Sequence, residues 1–388
     1  MAFYTTPLQA QKNPEFQNEQ GEVTHKDSLS IYGAVNTLVA RLGEGEYEVL
    51  QNVPRWGFYL QKASTRTRIS MIARMEWGVN MIENNTVINP DATTAEDFLQ
   101  DGIDAFTTRQ GYIGVSHPVW GTLTIGKQWS VYYDVSNVTD YFNVFGSAGS
   151  GTYNFFTDGG IEGTGRADKA IIYRNKYKGF SLGLQSQLLG NVYHYAASLR
   201  YKFKELGVTL GAAYNRANTT TDFEGIGIIF PDKTLDSHVL SASYDKGAWY
   251  FGLLYANQDS EFFSSNQQVI IPDNPTEEPT EASILIEMPA IGVELYGRYR
   301  FKKFFNLYGG FNLLIPRADN DLPPQVDSDF RTYFWTTGLE FRTAKGAAAY
   351  FEAKLDNSIN DKGNEVNNLY ALGLRYNFNF DFLTLIER

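Results

Sequence analysis

The sequence predicts an all-β protein, a transmembrane antiparallel β-barrel of about sixteen strands. Apolar and polar residues alternate with a period of two in segments of about ten residues, the length of a tilted membrane strand. Short turns alternate with long polar connections along the chain, which is typical of outer-membrane barrels. The chain of 388 residues also has 25 Tyr, 27 Phe and 35 Gly, which suits aromatic girdles at the membrane interfaces and closely packed strands.

The overall composition is compatible with a membrane barrel and excludes several other classes of protein. The mean hydropathy of −0.32 is low because barrel strands alternate between lipid-facing and water-facing residues. The chain has no Cys, which excludes disulfides, thiolate catalysis and cysteine-ligated metals. A formal net charge of −11 argues against nucleic acid as a partner.

The alternation also predicts which face of each strand points inward. In the segment 290–301, Arg298 and Arg300 share one face, opposite a face of apolar residues. A basic side chain facing lipid at the bilayer midplane costs roughly 2–4 kcal/mol, so both arginines are expected in the lumen. The same reasoning turns Arg68 and Arg74 inward and makes them candidates for a basic pore wall.

Sixteen strands are predicted in this way, an even number, as single-chain bacterial barrels have. Their ranges are 28–42, 54–64, 67–82, 105–116, 122–133, 168–176, 180–189, 194–204, 206–216, 235–245, 248–258, 290–301, 306–315, 330–342, 347–357 and 368–380. The barrel is therefore expected over residues 29–380. Residues 1–28 lack a basic segment followed by an apolar one and are predicted to form a polar N-terminal arm, and residues 381–388 a C-terminal tail.

Three long connections, 83–97, 259–283 and 317–327, are polar, and the last two are rich in acidic residues. The simplest interpretation is that they are solvated outer loops. The alternative is that their carboxylates bind Ca²⁺ or Mg²⁺ and bridge to lipopolysaccharide phosphates, since these cations prefer oxygen ligands. No EF-hand spacing supports a specific metal site, and no other cofactor is expected.

The longest connection, residues 134–167, is unusually aromatic for an outer loop and includes Tyr141, Phe142 and Phe145. A loop of this composition should pack against other residues. Side chains cannot fill the interior of a sixteen-stranded barrel, so the inner wall is available for that packing. We therefore predict an inward-folded constriction loop. The alternative is an outer loop that packs in a subunit contact.

Seven short stretches resemble the trimeric general diffusion porins of Gram-negative bacteria. The stretches are IYGAV (31–35), RWGF (55–58), TRQGYIG (108–114), GTLTIGKQWSVYYDV (121–135), TDYFNVFG (139–146), IIYRN (171–175) and LGLRYNF (372–378). The resemblance implies a homotrimer embedded in outer-membrane lipid and lipopolysaccharide. It also implies passive diffusion of ions and small hydrophilic solutes through a charged constriction.

The resemblance assigns a basic cluster on the barrel wall to Arg55, Arg109 and Arg166. Even-numbered residues after Arg166 should face inward, which adds Arg174 to the candidates. The lysine that the family carries on its first strand is replaced here by Ala34.

The loop side of the constriction, which faces the basic wall, is predicted to carry fewer acidic residues than in the family. Asp140 matches a family acid, but two further acids are replaced by Val144 and Ala148. Asp158 and Glu162 are candidates to supply the missing charge. Because the arginines of the family are present and two of its loop acids are absent, we expect the channel to have weak ion selectivity, with a small preference for anions.

The sequence contains no convincing catalytic motif, and the chain is not predicted to be an enzyme. The histidines His25, His117, His194 and His238 lack metal-ligand spacing. The stretch 147–152 lacks the lysine of a phosphate-binding loop. Two alternatives to a general pore stay open: a substrate-specific porin for sugars or anions, and a plugged barrel that serves as a structural or partner-docking subunit. Single-channel conductance separates the plugged barrel from the pore.

Overall fold

The computed structural model describes residues 27–42, 46–64, 66–82, 106–153, 162–190, 192–219, 233–264, 285–302, 304–317, 327–343, 346–360 and 362–385. In this part of the chain, strands form one antiparallel sheet that closes on itself where the first strand pairs with the last. Closure leaves the sheet without open edges, as a membrane-spanning sheet requires. The three loops considered for Ca²⁺ or Mg²⁺ lie largely outside the described residues.

Seventeen strand segments and one short helix are described. They are β1 Asp27–Leu42, β2 Glu46–Gln51, β3 Arg55–Ala63, β4 Ser70–Val79, β5 Phe106–His117, β6 Gly121–Trp129, α1 Tyr133–Ser136, β7 Arg166–Tyr177, β8 Phe180–Leu189, β9 Val192–Phe203, β10 Val208–Thr219, β11 Lys233–Lys246, β12 Trp249–Ser264, β13 Leu285–Phe301, β14 Phe305–Pro316, β15 Thr332–Arg342, β16 Ala347–Asp356 and β17 Leu369–Leu385. Among the described helical residues, no helix is long and apolar enough to cross a bilayer.

The segments β2 and β3 together form one barrel strand, so the barrel has sixteen. Both pair with β1, and the Asn52 amide donates to the Asn36 carbonyl at 3.0 Å between the two paired stretches. The interruption falls at Val53, whose φ is 46°, and at Pro54, which has no backbone N–H to donate. The prediction of an antiparallel sixteen-stranded barrel is confirmed, although the stretch that forms β2 was assigned to a connection.

The ends of the barrel lie outside the boundaries predicted at residues 29 and 380. β1 begins at Asp27, and β17 continues to Leu385, its pairing partner. The alternation of β17 continues as well, with Phe380 and Phe382 exposed on the outer face. Because the extra residues of β17 complete the pairing of β1, the strand extends past its expected end.

The two faces of the sheet differ as the alternation predicts. On β13, Glu294 and Arg298 are buried inside the barrel, while Val293 and Leu295 face outward. Large apolar side chains elsewhere on the outer face, such as Leu374 at 66% exposure, are positioned to contact lipid. The inner face is polar, which leaves the lumen suited to water and to contacts with an inserted loop.

Candidate functional site

The loop between β6 and β7 lies against the inner wall, and its tip is held by Glu352 of β16. The Glu352 carboxylate accepts hydrogen bonds from the backbone amides of Asn143, Val144 and Phe145 at 2.7, 2.8 and 2.5 Å. It also accepts one from the Tyr308 hydroxyl at 2.8 Å. Bonds from N–H groups to a carboxylate are among the stronger hydrogen bonds in proteins, so Glu352 is the main anchor of the loop tip.

A second anchor lies on the neighbouring strands β13 and β14. Glu294 accepts a hydrogen bond from the Gly149 amide at 2.8 Å and another from the Thr139 hydroxyl. The Asn312 side-chain oxygen accepts from the Ala148 amide at 3.1 Å. These wall residues replace the secondary-structure partners that an irregular loop lacks. The loop backbone is therefore fastened at two separate places.

Aromatic residues of the loop pack on aromatic residues of the barrel strands. The Tyr141 ring lies 4.8 Å from Tyr250, and the Phe142 ring lies 4.9 Å from Tyr296, both with edge-to-face geometry. Together with the two anchors, these contacts place the described loop residues along the wall formed by β12–β16.

The loop positions that lack the expected acids are part of this attachment. Val144 is fully buried and Ala148 is 3% exposed. Both lie against the wall, and their amides bond to Glu352 and Asn312. A carboxylate at either position would be buried among these groups, which explains why apolar side chains fit there.

Loop and wall leave between them a space of about 120 Å³ that is open to solvent. Five arginines and three carboxylates line it in the described part of the chain, a net charge of +2. Its rim on the loop side is formed by the stretch 140–143. The charged lining residues are Arg55, Glu76, Arg109, Asp140, Arg298, Glu340, Arg342 and Arg375.

Of the predicted residues, Arg55, Arg109 and Asp140 line this space directly. Arg109 donates to Glu76 at 3.0 Å, and Glu76 is 1% exposed. Asp140 accepts hydrogen bonds from the Tyr133 hydroxyl at 2.5 Å and from other loop residues. The arginines of β3 and β5 and the loop acid thus line one space.

Arg74 and Arg166 lie beside the cavity instead of on its lining. Arg74 is 2% exposed and donates through Nε to the Tyr32 hydroxyl at 2.6 Å, within the inner-wall layer. The Arg166 guanidinium lies 5.0 Å above the Trp129 ring and is 8% exposed. Each lies next to a residue that lines the cavity: Arg74 beside Glu76, and Arg166 beside Trp129.

Arg174 and Arg68 do not lie at the cavity, which corrects their prediction as constriction residues. Arg174 forms an ion pair with Asp134 at 2.6 Å and bonds to the Trp129 carbonyl, so it fixes the start of the loop. Arg68 is exposed in the turn between β3 and β4, six residues before Arg74. Alternation gives the face of a side chain but not its height in the barrel.

Of the two remaining acid candidates, Glu162 does not line the described cavity. Glu162 is 6% exposed, and its backbone carbonyl accepts a hydrogen bond from Asn215 of β10 at 3.0 Å. Asp158 lies outside the described residues.

The site also contains residues that the sequence analysis did not single out. Glu76, Glu340, Arg342 and Arg375 line the cavity, and Arg298 was predicted only to face the lumen. All five obey the inward alternation of their strands. That signal was available in the sequence, but it could not place them at the level of the loop.

The close contact between loop and wall at Gly292 gives a testable expectation. A Cβ at Gly292 would lie 1.8 Å from the Gly149 carbonyl oxygen. We expect Gly292→Ala to push this part of the loop from the wall and weaken the bond to Glu294, costing about 1–3 kcal/mol in urea unfolding from lipid vesicles. Gly297→Ala is the control, because the atoms nearest to its Cβ would be those of the Phe251 ring, at 3.2 Å. Equal losses for both variants would contradict the expectation.

A closed barrel with an apolar outer face, a polar lumen and an inserted loop defines the class of outer-membrane channel proteins. The family model described as Gram-negative porin matches residues 1–382, and the chain belongs to that family. Its location is the outer membrane, and its relatives are channels, not enzymes.

Individual comparisons agree with this assignment. Outer membrane protein F of Serratia marcescens is 27% identical over 61% of this chain, an alignment that spans 61% of the Serratia protein. Outer membrane porin N of Escherichia coli is 22% identical and is matched over 92% of this chain and 94% of its own length. The trimer form of Vibrio cholerae OmpT is 16% identical with a TM-score of 0.61, covering 91% of this chain and 99% of that one.

Proposed function

We propose that the protein is a passive diffusion channel for ions and small hydrophilic solutes, with a charged constriction that favours anions weakly. The observation that carries the proposal is the net charge of +2 on the lining of the space between loop and wall. Charge on the low-dielectric walls of a narrow passage concentrates mobile ions of the opposite sign. Arginines from β3 and β5 face the loop acid Asp140 across this passage.

The decisive experiment is a reversal-potential measurement in a salt gradient across a planar bilayer. We expect single channels that conduct steadily, with a reversal potential on the anion side of zero. Strong cation selectivity would contradict the proposed preference. Absence of conductance by a correctly folded barrel would favour a plugged structural subunit instead.

A substrate-specific porin is the second candidate, and the charges on the cavity lining favour an anion path over a sugar path. Liposome swelling with neutral sugars of graded size separates a general channel from a channel that is specific for one sugar. A general channel should admit them in order of size alone. Saturable uptake of a single sugar would contradict the general channel.

We also propose that the protein assembles as a homotrimer surrounded by outer-membrane lipid and lipopolysaccharide. Support comes from the family and from the trimer form of the Vibrio neighbour. Mass measurement in mild detergent should give three copies, and a single copy would contradict the proposal.

The titration of Asp140 gives a prediction for selectivity. Asp140 is in the loop, outside the membrane-spanning strands, where burial raises its pKa against the opposing hydrogen bonds from Tyr133, Ser147 and Tyr153 and the charge of Arg166. Lowering the pH from about 7 to about 4 therefore neutralises it earlier than an ordinary carboxyl, and the reversal potential should move further toward anions. Asp140→Asn should resemble the low-pH channel already at neutral pH. An unchanged pH profile in that variant would contradict the assignment.

A further inference from the structure

We infer that Arg298, Arg342 and Arg375 form a second anion site, below the loop tip, that binds small oxyanions carrying two negative charges. Carboxylate and phosphate compounds share this chemistry. The inference rests on the proposed function, because it requires a solute path past the loop. It concerns residues of β13, β15 and β17, which line the same space as Arg55 and Arg109 of β3 and β5.

The strand pairing brings the three arginines to one part of the wall. Arg342 pairs with Ala348 of β16, and Ala348 in turn pairs with Arg375 of β17. The alanine between them has only a methyl group, so it leaves the two guanidinium groups uncovered. Arg298 faces the same space from β13, and all three arginines line it.

The charge of this cluster is only partly compensated by the protein. Glu340 accepts from Arg375 at 2.5 Å and also from Arg342, so one carboxylate is shared between two arginines. It accepts a further bond from Asn306 at 2.9 Å. Three guanidinium groups and one carboxylate leave a net charge of +2, which a dianion would neutralise.

Arg298 is the least compensated member of the cluster. It is 8% exposed, and its Nε and Nη1 atoms have no hydrogen-bond partner among the described residues. Its guanidinium carbon lies 5.4 Å from the centre of the Tyr250 ring. A desolvated arginine without a carboxylate partner is costly by itself. An oxyanion, which a guanidinium binds through two parallel hydrogen bonds, would lower that cost.

The cluster adjoins the loop tip and belongs to the same charged lining as Arg55, Arg109 and Asp140. Tyr296 of β13 packs on Phe142 of the loop tip. Arg298 lies two residues further along β13, toward the short turn that follows this strand. Arg375 donates to the Asn143 side chain at 2.6 Å, so the cluster adjoins the loop tip from that side. Short turns lie at the periplasmic end of such barrels. An anion that has passed the loop therefore meets this cluster before it leaves the pore.

The test is block of single-channel chloride current by succinate or inorganic phosphate at a pH where both are dianions. We expect both to reduce the wild-type current, and Arg298→Gln to raise the half-blocking concentration by about 10-fold or more, the effect of one charge-assisted hydrogen bond. Arg342→Gln should act in the same direction. Arg200→Gln is the matched control: it removes an inward-facing arginine of β9 that does not line the cavity.

The outcomes separate this inference from the proposed function. A conducting wild-type channel that neither dianion blocks would overturn the second site and leave the diffusion channel intact. Equal half-blocking concentrations for the wild type, Arg298→Gln and Arg342→Gln would do the same. A folded barrel without any conductance would overturn the proposed function itself.

Discussion

Glu352→Ala should release the tip of the loop and enlarge the passage. The change removes one carboxylate that accepts three backbone amides of the stretch 143–145 and the Tyr308 hydroxyl. Each buried donor left without a partner costs about 1–3 kcal/mol. The loop tip should leave the wall, because its amides can then bond to water.

The expected readouts are a higher single-channel conductance and faster liposome swelling with larger sugars. Glu352→Gln should behave similarly, because an amide replaces one acceptor oxygen by a donor that faces other donors. Glu205→Gln is the control, since it removes a carboxylate from an exposed turn at the end of β9. Normal conductance and an unchanged size limit in both Glu352 variants would show that the anchor does not hold the loop.

The fold was predictable because strand alternation and turn length are local properties of the sequence. β8 occupies the predicted range of 180–189, and most other strands end within a few residues of expectation. The missed segment β2 has a non-local explanation. Its pairing depends on β1, and the irregular backbone at Val53 and Pro54 makes the two parts of one strand look separate in sequence.

The site was predictable only in part, because its geometry depends on the height of each residue in the barrel. Arg55, Arg109 and Asp140 were selected through the resemblance to a family. Such a resemblance also indicates where along the barrel axis a residue lies. Arg68 was selected by alternation alone and lies in a turn.

The anchors of the loop were not predictable from local pattern. Glu294 and Glu352 look in sequence like ordinary lumen-facing acids. Only the folded loop reveals that they accept backbone amides more than 140 residues away along the chain. The same loop attachment explains why Val144 and Ala148 are apolar: they are buried in the attachment instead of lining the passage.

Arg109→Gln should both destabilise the barrel and move its selectivity toward cations. Glu76 is 1% exposed and pairs with Arg109 at 3.0 Å. Removing Arg109 takes away the ion-pair partner of the buried Glu76 carboxylate, which keeps the hydrogen bond from the Tyr32 hydroxyl and the nearby charges of Arg55 and Arg74. We therefore expect a cost of about 3 kcal/mol, the low end of the range for a broken buried pair. Urea unfolding from lipid vesicles measures the loss, and the reversal potential measures the missing positive charge on the cavity wall.

Two further variants separate these effects. Arg55→Gln removes a lining charge that has no hydrogen-bond or ion-pair partner among the described residues, so selectivity should shift with little loss of stability. The double variant Glu76→Gln with Arg109→Gln removes the pair as a unit. It should recover part of the stability, because the Glu76 carboxylate is removed together with its ion-pair partner, while the buried Arg74 loses the neighbouring carboxylate. It should also restore the wild-type net charge of the lining. If the double variant were as unstable as Arg109→Gln, the loss of stability would come from the packing of the arginine side chain and not from the Glu76 carboxylate left without its ion-pair partner.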